Sequence, residues 1–471
     1  MTRALVLGGG LSGVLAAVAL SRHVDEVTVI EGDRLPDGPR PRRGLPQGQQ
    51  AHMLMAGGAQ ALDQLLPGTT ARLYAAGAHR LTMAGHILTL SGEGWFERFD
   101  HDAYLISCSR HLIDHVVRQL AFRDDSITVI ESTKVIALTG DAKRVTGARV
   151  EHQGGEERTI SADFVVDATG SRSRAPQWLA DLGLPQVREE FLDAGLAYAG
   201  RWYEAPAEAA DGLPAVLIQP EPRSGRPGYG AGLLPQEDGK WIVPLIGTRG
   251  GQPPTDGDGF LEFARGVRHP LVADLIATAR PIGEIRASRG LANRRRLYDR
   301  LPVPEGFLAI GDSATVLSPN YATGMSLAAL GALSLRTRLK NHGLTPGLSR
   351  QVQSDIAKLA TGPWRTAIGN DRWFPGVKTN MKLGGGGFQR WFASRWMKTA
   401  AVDPKLLAAT YEVATLRASQ SSMMSLPMLT TVLRGPRRGP LTAAEALARF
   451  PEFDELLAAV AESAAAERVT G

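Results

Sequence analysis

The hydrophobic positions open the chain as one unbroken run, Ala4-Leu5-Val6-Leu7, that stops at glycine. A short continuous apolar run bounded by glycines predicts a strand buried on both faces, as in a parallel sheet. Residues 14–20 are then apolar and alanine-rich, which predicts a helix packed on that sheet. A second strand follows at Glu26-Val27-Thr28-Val29-Ile30 and ends in Glu31. The order is strand, helix, strand, so the two strands lie parallel.

Between the first strand and the helix stand Gly8, Gly10, Leu11, Ser12 and Gly13, with the glycines in the G-x-G-x-x-G places. Gly8 allows the tight turn, Gly10 lets backbone approach a pyrophosphate, and Gly13 lets helix and strand pack closely. The helix start then offers unpaired N–H groups and a partial positive charge to phosphate. Glu31, about 20 residues further on, is where a ribose hydroxyl would be held.

Further along, residues 32–44 are rich in Pro, Gly and charge and predict a loop. Alternation over 81–99 around Ser91-Gly92-Glu93-Gly94 predicts a hairpin, and a second is predicted at 145–160 around Gly154-Gly155. Residues 110–120 read as a helix and Ile127–Ile130 as a strand. Phe164-Val165-Val166 is another buried strand, running into Asp167-Ala168-Thr169-Gly170. From 191 to 289 short strand-like runs (196–203, 216–219, 241–246) alternate with Pro- and Gly-rich turns, which predicts an inserted, mainly antiparallel sheet. Gly306-Phe307-Leu308-Ala309-Ile310-Gly311-Asp312 resumes the first pattern, a helix follows from about 324 to 339, and the chain beyond 350 is mostly helical.

Length and composition change this picture little. The 471 residues suffice for more than one domain. A single cysteine, Cys108, excludes an intramolecular disulfide and a cysteine-based metal site, and suits a reducing cytoplasm. No apolar stretch has the length of a membrane span, and no metal-ligand pattern is read. The net charge of +5 is spread over scattered basic residues, so no nucleic-acid site is read from it.

Four stretches carry a resemblance to a known family. They are residues 8–13 with Glu31; Arg42-Arg43-Gly44-Leu45-Pro46-Gln47-Gly48-Gln49-Gln50-Ala51-His52; Ser109-Arg110; and Gly311-Asp312-Ser313. Together they resemble the single-component FAD monooxygenases of the para-hydroxybenzoate hydroxylase type, and within it the FAD epoxidases of bacterial polyether and related polyketide pathways. The resemblance implies an α/β fold: a Rossmann-type FAD-binding domain (1–190 and 290–350), an inserted, mainly antiparallel β-sheet substrate domain (191–289) and a helical C-terminal region (351–471). It implies FAD on Gly8, Gly10, Leu11, Ser12, Gly13 and Glu31, with Asp312 accepting from the ribityl hydroxyls. Arg43 near the flavin, with Arg42 as the alternative, Arg110 on ribityl or pyrophosphate, and Gly324 and Met325 at the flavin ring complete the implied set.

The chain departs from the family in two places. Thr169 stands where relatives often have an aspartate that touches FAD and NAD(P)H. In Ser318-Pro319-Asn320-Tyr321-Ala322-Thr323-Gly324-Met325, Ala322 replaces a glycine and Thr323 a Gln or His. The resemblance implies that one oxygen atom of O₂ reaches an apolar, polyketide-like intermediate, as in alkene epoxidation through a flavin C4a-hydroperoxide, with electrons from NADH, NADPH or an external flavin reductase. The alternative is a non-redox cyclase in which FAD is structural. Tyr198, Trp202, Tyr203 and Trp241 are the candidate substrate-pocket residues on the inserted sheet, and His52 is the one candidate for a catalytic base. The aromatics of the C-terminal helices either cap an apolar pocket or mediate a dimer, so monomer and homodimer both stay open.

Overall fold

The computed structural model describes residues 1–209, 212–384 and 386–470, the side chains of 464 and 466–470 excepted. Its centre is a five-stranded, all-parallel sheet in the order Phe307–Ala309, Phe164–Asp167, Arg3–Leu7, Glu26–Ile30, Ile127–Ile130. Arg3–Leu7 is the middle strand, and its four apolar residues are sealed because helices cover one face of the sheet and an antiparallel sheet of Thr133–Gly140, Val145–His152 and Glu157–Ser161 covers the other. The helix Leu11–Ser21 has no polar stripe and is buried nearly all round. The sheet lies on one side of it and the long helix Gly324–His342 on the other, so an all-apolar sequence is what this position requires.

The second layer is a seven-stranded sheet, in the order Arg280–Arg289, Ala197–Glu204, Lys240–Gly247, Tyr229–Gln236, Ala215–Ile218, Ile87–Ser91, Gly94–Trp95. All its pairings are antiparallel except that of Ala215–Ile218 with Ile87–Ser91. The hairpin read near 81–100 therefore exists only as Ile87–Ser91 with Gly94–Trp95, and it joins this sheet rather than the parallel one. Several elements went unread, among them the strand Arg280–Arg289. Tyr229–Gln236 is a strand whose glycines and proline hide its period, and the helices Gly257–Gly266 and Leu271–Ala277 pack behind the sheet. The hairpin of 145–160 is present as Val145–His152 with Glu157–Ser161, and Thr133–Gly140 adds a third strand.

The sheet's two faces differ. Side chains alternate along a strand, so Ala199, Tyr203, Trp241, Val243 and Leu245 point to the back. There they pack with Phe260, Leu275, Phe450 and Phe453. Tyr198, Trp202, Leu217 and Ile242 point to the front, towards the parallel-sheet domain. Beyond Gly324–His342 the chain is helical: Leu348–Asp371, Gly387–Ala400, Pro404–Ala414, Leu426–Arg434, and Pro451–Thr470, whose first turns return to the back of the large sheet.

Candidate functional site

The glycine turn lies at the carboxyl end of the central strand, where ligands of open α/β sheets bind. Gly8 has φ +104° and its N–H donates to the Ile30 carbonyl at 2.8 Å. A Cβ there would press on the Ala168 carbonyl oxygen, and one on Gly13 would overlap the Gly8 carbonyl oxygen. Gly10 is different: a Cβ on it would have only the Arg42 guanidinium near it, at 3.5 Å. The space in front of Gly10 is thus open. Gly10 caps the helix without a side-chain acceptor, so the first N–H groups stay available to an anion. Leu11 turns its side chain into the core, which leaves its backbone for that role.

Glu31 is buried and already busy. Its Oε2 accepts from the Gly9 N–H at 2.8 Å and pairs with Arg42 Nη1 at 2.8 Å, while Oε1 accepts from the Asp33 N–H at 2.9 Å. A carboxylate has about four acceptor positions, so one remains for a hydroxyl. Arg42, not Arg43, is the arginine turned to the loop. Arg43 is exposed, while Arg42 beside it turns in to Glu31. Arg42 is largely enclosed, and its Nε finds no acceptor among the described residues.

The helix Arg110–Ala121 supplies the opposite wall. Ser109 caps it, its hydroxyl accepting from the Leu112 N–H at 3.1 Å, which fixes Arg110 in the first turn. Arg110 Nε donates to Asp114 at 2.8 Å. Asp114 and Arg118 were not foreseen, although Arg110, Asp114 and Arg118 fall at four-residue spacing and so on one helix face. Sequence alone carried that signal.

His52 Nδ1 sits 2.8 Å from the Gln50 carbonyl oxygen. Burial, followed by the Arg110 charge, pushes its pKa down to about 4. The imidazole is therefore neutral and weakly basic, which removes the reason to name it as a catalytic base.

At the end of Phe307–Ala309, Gly311 (φ +62°) turns the chain against Ser12, bringing the two halves of the parallel-sheet domain together. Asp312 comes next, and its carboxylate has no hydrogen bond among the described residues. Desolvation pushes its pKa up, opposed by the Arg110 and Arg296 charges. A Cβ on Gly324 would stand 3.8 Å from Asp312 Oδ1, so Asp312 and the start of the helix Gly324–His342 share one space. Met325 packs its side chain in the core and offers only backbone. Thr169, in the place of the family aspartate, donates through N–H and hydroxyl to buried Asp167, at 3.0 and 2.6 Å.

The front face of the large sheet closes the space. Trp202 Nε1 donates to the Gln49 carbonyl at 3.2 Å, and Gln50 lies over Gly200, donating to the Arg286 carbonyl at 2.7 Å. Ala322 joins the same apolar cluster as Trp202 and Leu217. Of the four candidate pocket residues, Tyr198 and Trp202 face this way. Tyr203 and Trp241 do not: they are directly paired across the back and fill its core.

Beside Ala322 lies a buried polar group that sequence reasoning missed. Tyr321 donates to Asp371 Oδ1 at 2.7 Å, Asn293 donates to Asp371 Oδ2 at 2.7 Å, and Asn293 Oδ1 accepts from the Ser318 N–H at 2.8 Å. Desolvation raises the Asp371 pKa to about 6. The Tyr198 and Thr323 hydroxyls and Gln50 Oε1 are buried nearby without partners among the described residues. Asp371 ends a helix more than 50 residues downstream of the motifs, and no local pattern marks it.

A family profile described as "FAD binding domain" matches residues 1–342. Protein Rv3254 of Mycobacterium tuberculosis (strain ATCC 25618 / H37Rv) is 31% identical over 386 residues, 78% of this chain and 80% of the relative. A kynurenine 3-monooxygenase of Salinispora tropica is 28% identical over 345 residues, 69% of this chain and 70% of the relative. Among solved structures, the flavin-dependent brominase Bmp2 superposes with a TM-score of 0.66 at 14% identity, covering 91% of this chain and 97% of its own, a likeness of fold.

Proposed function

From the premise that this chain belongs to the FAD-binding domain family of flavin monooxygenases, we propose that it transfers one oxygen atom from O₂ to an apolar, polyketide-like substrate, most simply as an alkene epoxidase. The residues present fit FAD: an open face at Gly10, an unpartnered Arg42 Nε and an uncommitted Asp312 carboxylate. Arg42 and the free N–H groups of residues 11–13 would hold the pyrophosphate, Glu31 the adenosine ribose and Asp312 the ribityl chain. When bound, FAD supplies the oxygen activation.

The chain's own share is binding, exclusion of water and placement of charge. Trp202, Leu217 and Ala322 form a dry wall. The start of Gly324–His342, with no side-chain cap from Thr323, presents its N–H groups beside that wall and favours negative charge there. This juxtaposition of an apolar wall and an uncapped helix start is the observation that carries the reading. The electrons would come from NADH, NADPH or a separate flavin reductase.

The test is turnover of a linear polyene ester as probe alkene, under ¹⁸O₂ with reductase and NADH. A product one oxygen heavier that carries ¹⁸O supports the proposal. A product of unchanged mass, formed without O₂ or reductant, would replace it with the non-redox ring closure.

A further inference from the structure

Residues 376–440 contain ten Lys or Arg and two Asp or Glu, a net +8, whereas the whole chain is at +5. Everything else therefore sums to −3. The basic excess is concentrated, not scattered as the linear sequence suggested. Lys378, Lys382, Arg390, Lys405, Arg434 and Arg437 have no ion pair among the described residues. The acids that meet this stretch hold other members: Glu93 on Lys398, Asp102 and Glu412 on Arg417, and Glu97 on Arg438.

The same stretch carries most of the exposed large apolar side chains among the described residues: Phe388, Trp391, Met424, Leu426 and Leu433, which are 43–75% exposed. They form one ridge. Phe388 and Trp391 are ring neighbours at 5.7 Å, and the Arg395 guanidinium lies 5.4 Å over Trp391 while donating to the Leu433 carbonyl at 2.8 Å. Leu426 and Leu433 are seven residues apart on the helix Leu426–Arg434 and so share a face. Isolated exposed apolar residues need no explanation, but a contiguous ridge with a charged rim does.

We propose that this face docks on a lipid surface bearing anionic headgroups. A second copy of the chain fits poorly, because a self-complementary contact would set the basic residues without an ion pair, Lys378, Lys382, Arg390, Lys405, Arg434 and Arg437, against their own copies. Aromatic and aliphatic tips with Lys and Arg at their base match a helix pair lying in a bilayer interface. No helix of the described residues is long and apolar enough to cross a membrane, so the protein lies on the surface. The attraction has two parts: burial of the tips, and the pull of anionic lipid on the basic residues that lack an ion pair, which salt screens. This inference stands apart from the oxygenation reading, since it needs no turnover.

The test is co-sedimentation of the FAD-loaded full chain with vesicles of phosphatidylglycerol and phosphatidylcholine in equal parts, and with phosphatidylcholine alone. Binding to the anionic vesicles at least about tenfold stronger, and weaker in high salt, is expected from the charge alone. The variant Phe388→Ser/Trp391→Ser/Leu433→Ser changes exposed positions only. It should keep its flavin absorbance and lose roughly tenfold or more of the vesicle binding, as lost apolar burial predicts. Equal binding to both vesicles, or undiminished binding by the variant, would overturn the proposal. So would a dimer broken by the same substitutions with no binding to vesicles, which would assign the ridge to a second copy.

Discussion

The Arg42 guanidinium stands 2.8 Å from the Glu31 carboxylate, both nearly sealed from solvent, on the side of the glycine turn that is otherwise empty. The pair sets a positive group where a pyrophosphate would lie and screens the buried carboxylate behind it. Removing Arg42 would leave Glu31 facing the phosphates unpaired. We expect Arg42→Ala to weaken FAD binding by on the order of 1.5–3 kcal/mol. Arg43→Ala, on the exposed neighbour, should leave the dissociation constant unchanged. Flavin fluorescence titration decides, and equal effects of the two substitutions would reject the assignment.

Gly10 and Gly13 make a second contrast. A side chain at Gly10 meets only Arg42, whereas one at Gly13 overlaps the Gly8 carbonyl. Gly10→Val should therefore fold, with a thermal midpoint like that of the flavin-free wild type, and purify colourless. Gly13→Ala should lose at least about 1–3 kcal/mol of stability through overpacking. A yellow Gly10→Val protein would mean that the pyrophosphate lies elsewhere.

Ala322 holds φ +49° in the loop before the long helix. A left-handed alanine costs roughly 1 kcal/mol, and glycine offsets part of that gain through unfolded-chain entropy. Ala322→Gly is expected to be neutral or up to about 1 kcal/mol more stable, and Ala322→Val less stable by about 1–3 kcal/mol. Urea midpoints measure both. A stabilising valine would contradict the backbone geometry.

Asp371 gives the molecule a pH signature. Its folded pKa is raised to about 6 from an ordinary 3.8, so the fold favours the protonated acid. The associated stability is full below about pH 4 and is lost as pH rises through about 6, on the order of 3 kcal/mol in all. Asp371→Asn cannot ionise and should flatten that part of the profile. Identical pH slopes for wild type and variant would show that Asp371 is not the titrating group.

Much of this site was legible because its parts are local. The glycine turn, Glu31, the Ser109-Arg110 helix start and Gly311-Asp312 each sit at the junction of a strand or loop with a helix, where spacing and turn chemistry are written in consecutive residues. Choosing Arg42 over Arg43 needed the direction of a non-repeating loop, which no period encodes. The pairing of Tyr203 with Trp241 could have been read from alternation, had one position on each strand been tied to a face. Asp371, Tyr321 and Asn293 meet only because three distant segments pack together, and no sequence window contains them.

The front-facing side chains predict a final contrast. The Tyr198 hydroxyl is buried without a partner among the described residues, so Tyr198→Phe should keep or slightly raise stability while changing KM for an oxygen-bearing substrate. Trp241→Ala, on the back, should cost about 3–5 kcal/mol with KM unmoved in whatever protein remains folded. Matching KM shifts would mean that the two faces are not independent.

That independence has an evolutionary consequence. One strand, Ala197–Glu204, serves two masters: Ala199 and Tyr203 maintain the core behind the sheet, while Tyr198 and Trp202 face the ligand space. Substitutions at 198 and 202, and at 217 on another strand, can therefore change what a substrate meets while leaving the core behind the sheet intact. Position 200 is the exception, since the Gln50 carboxamide fills the room a side chain would need. A diversified library confined to those three positions would be expected to yield more folded, flavin-loaded proteins than one confined to 199, 203 and 241.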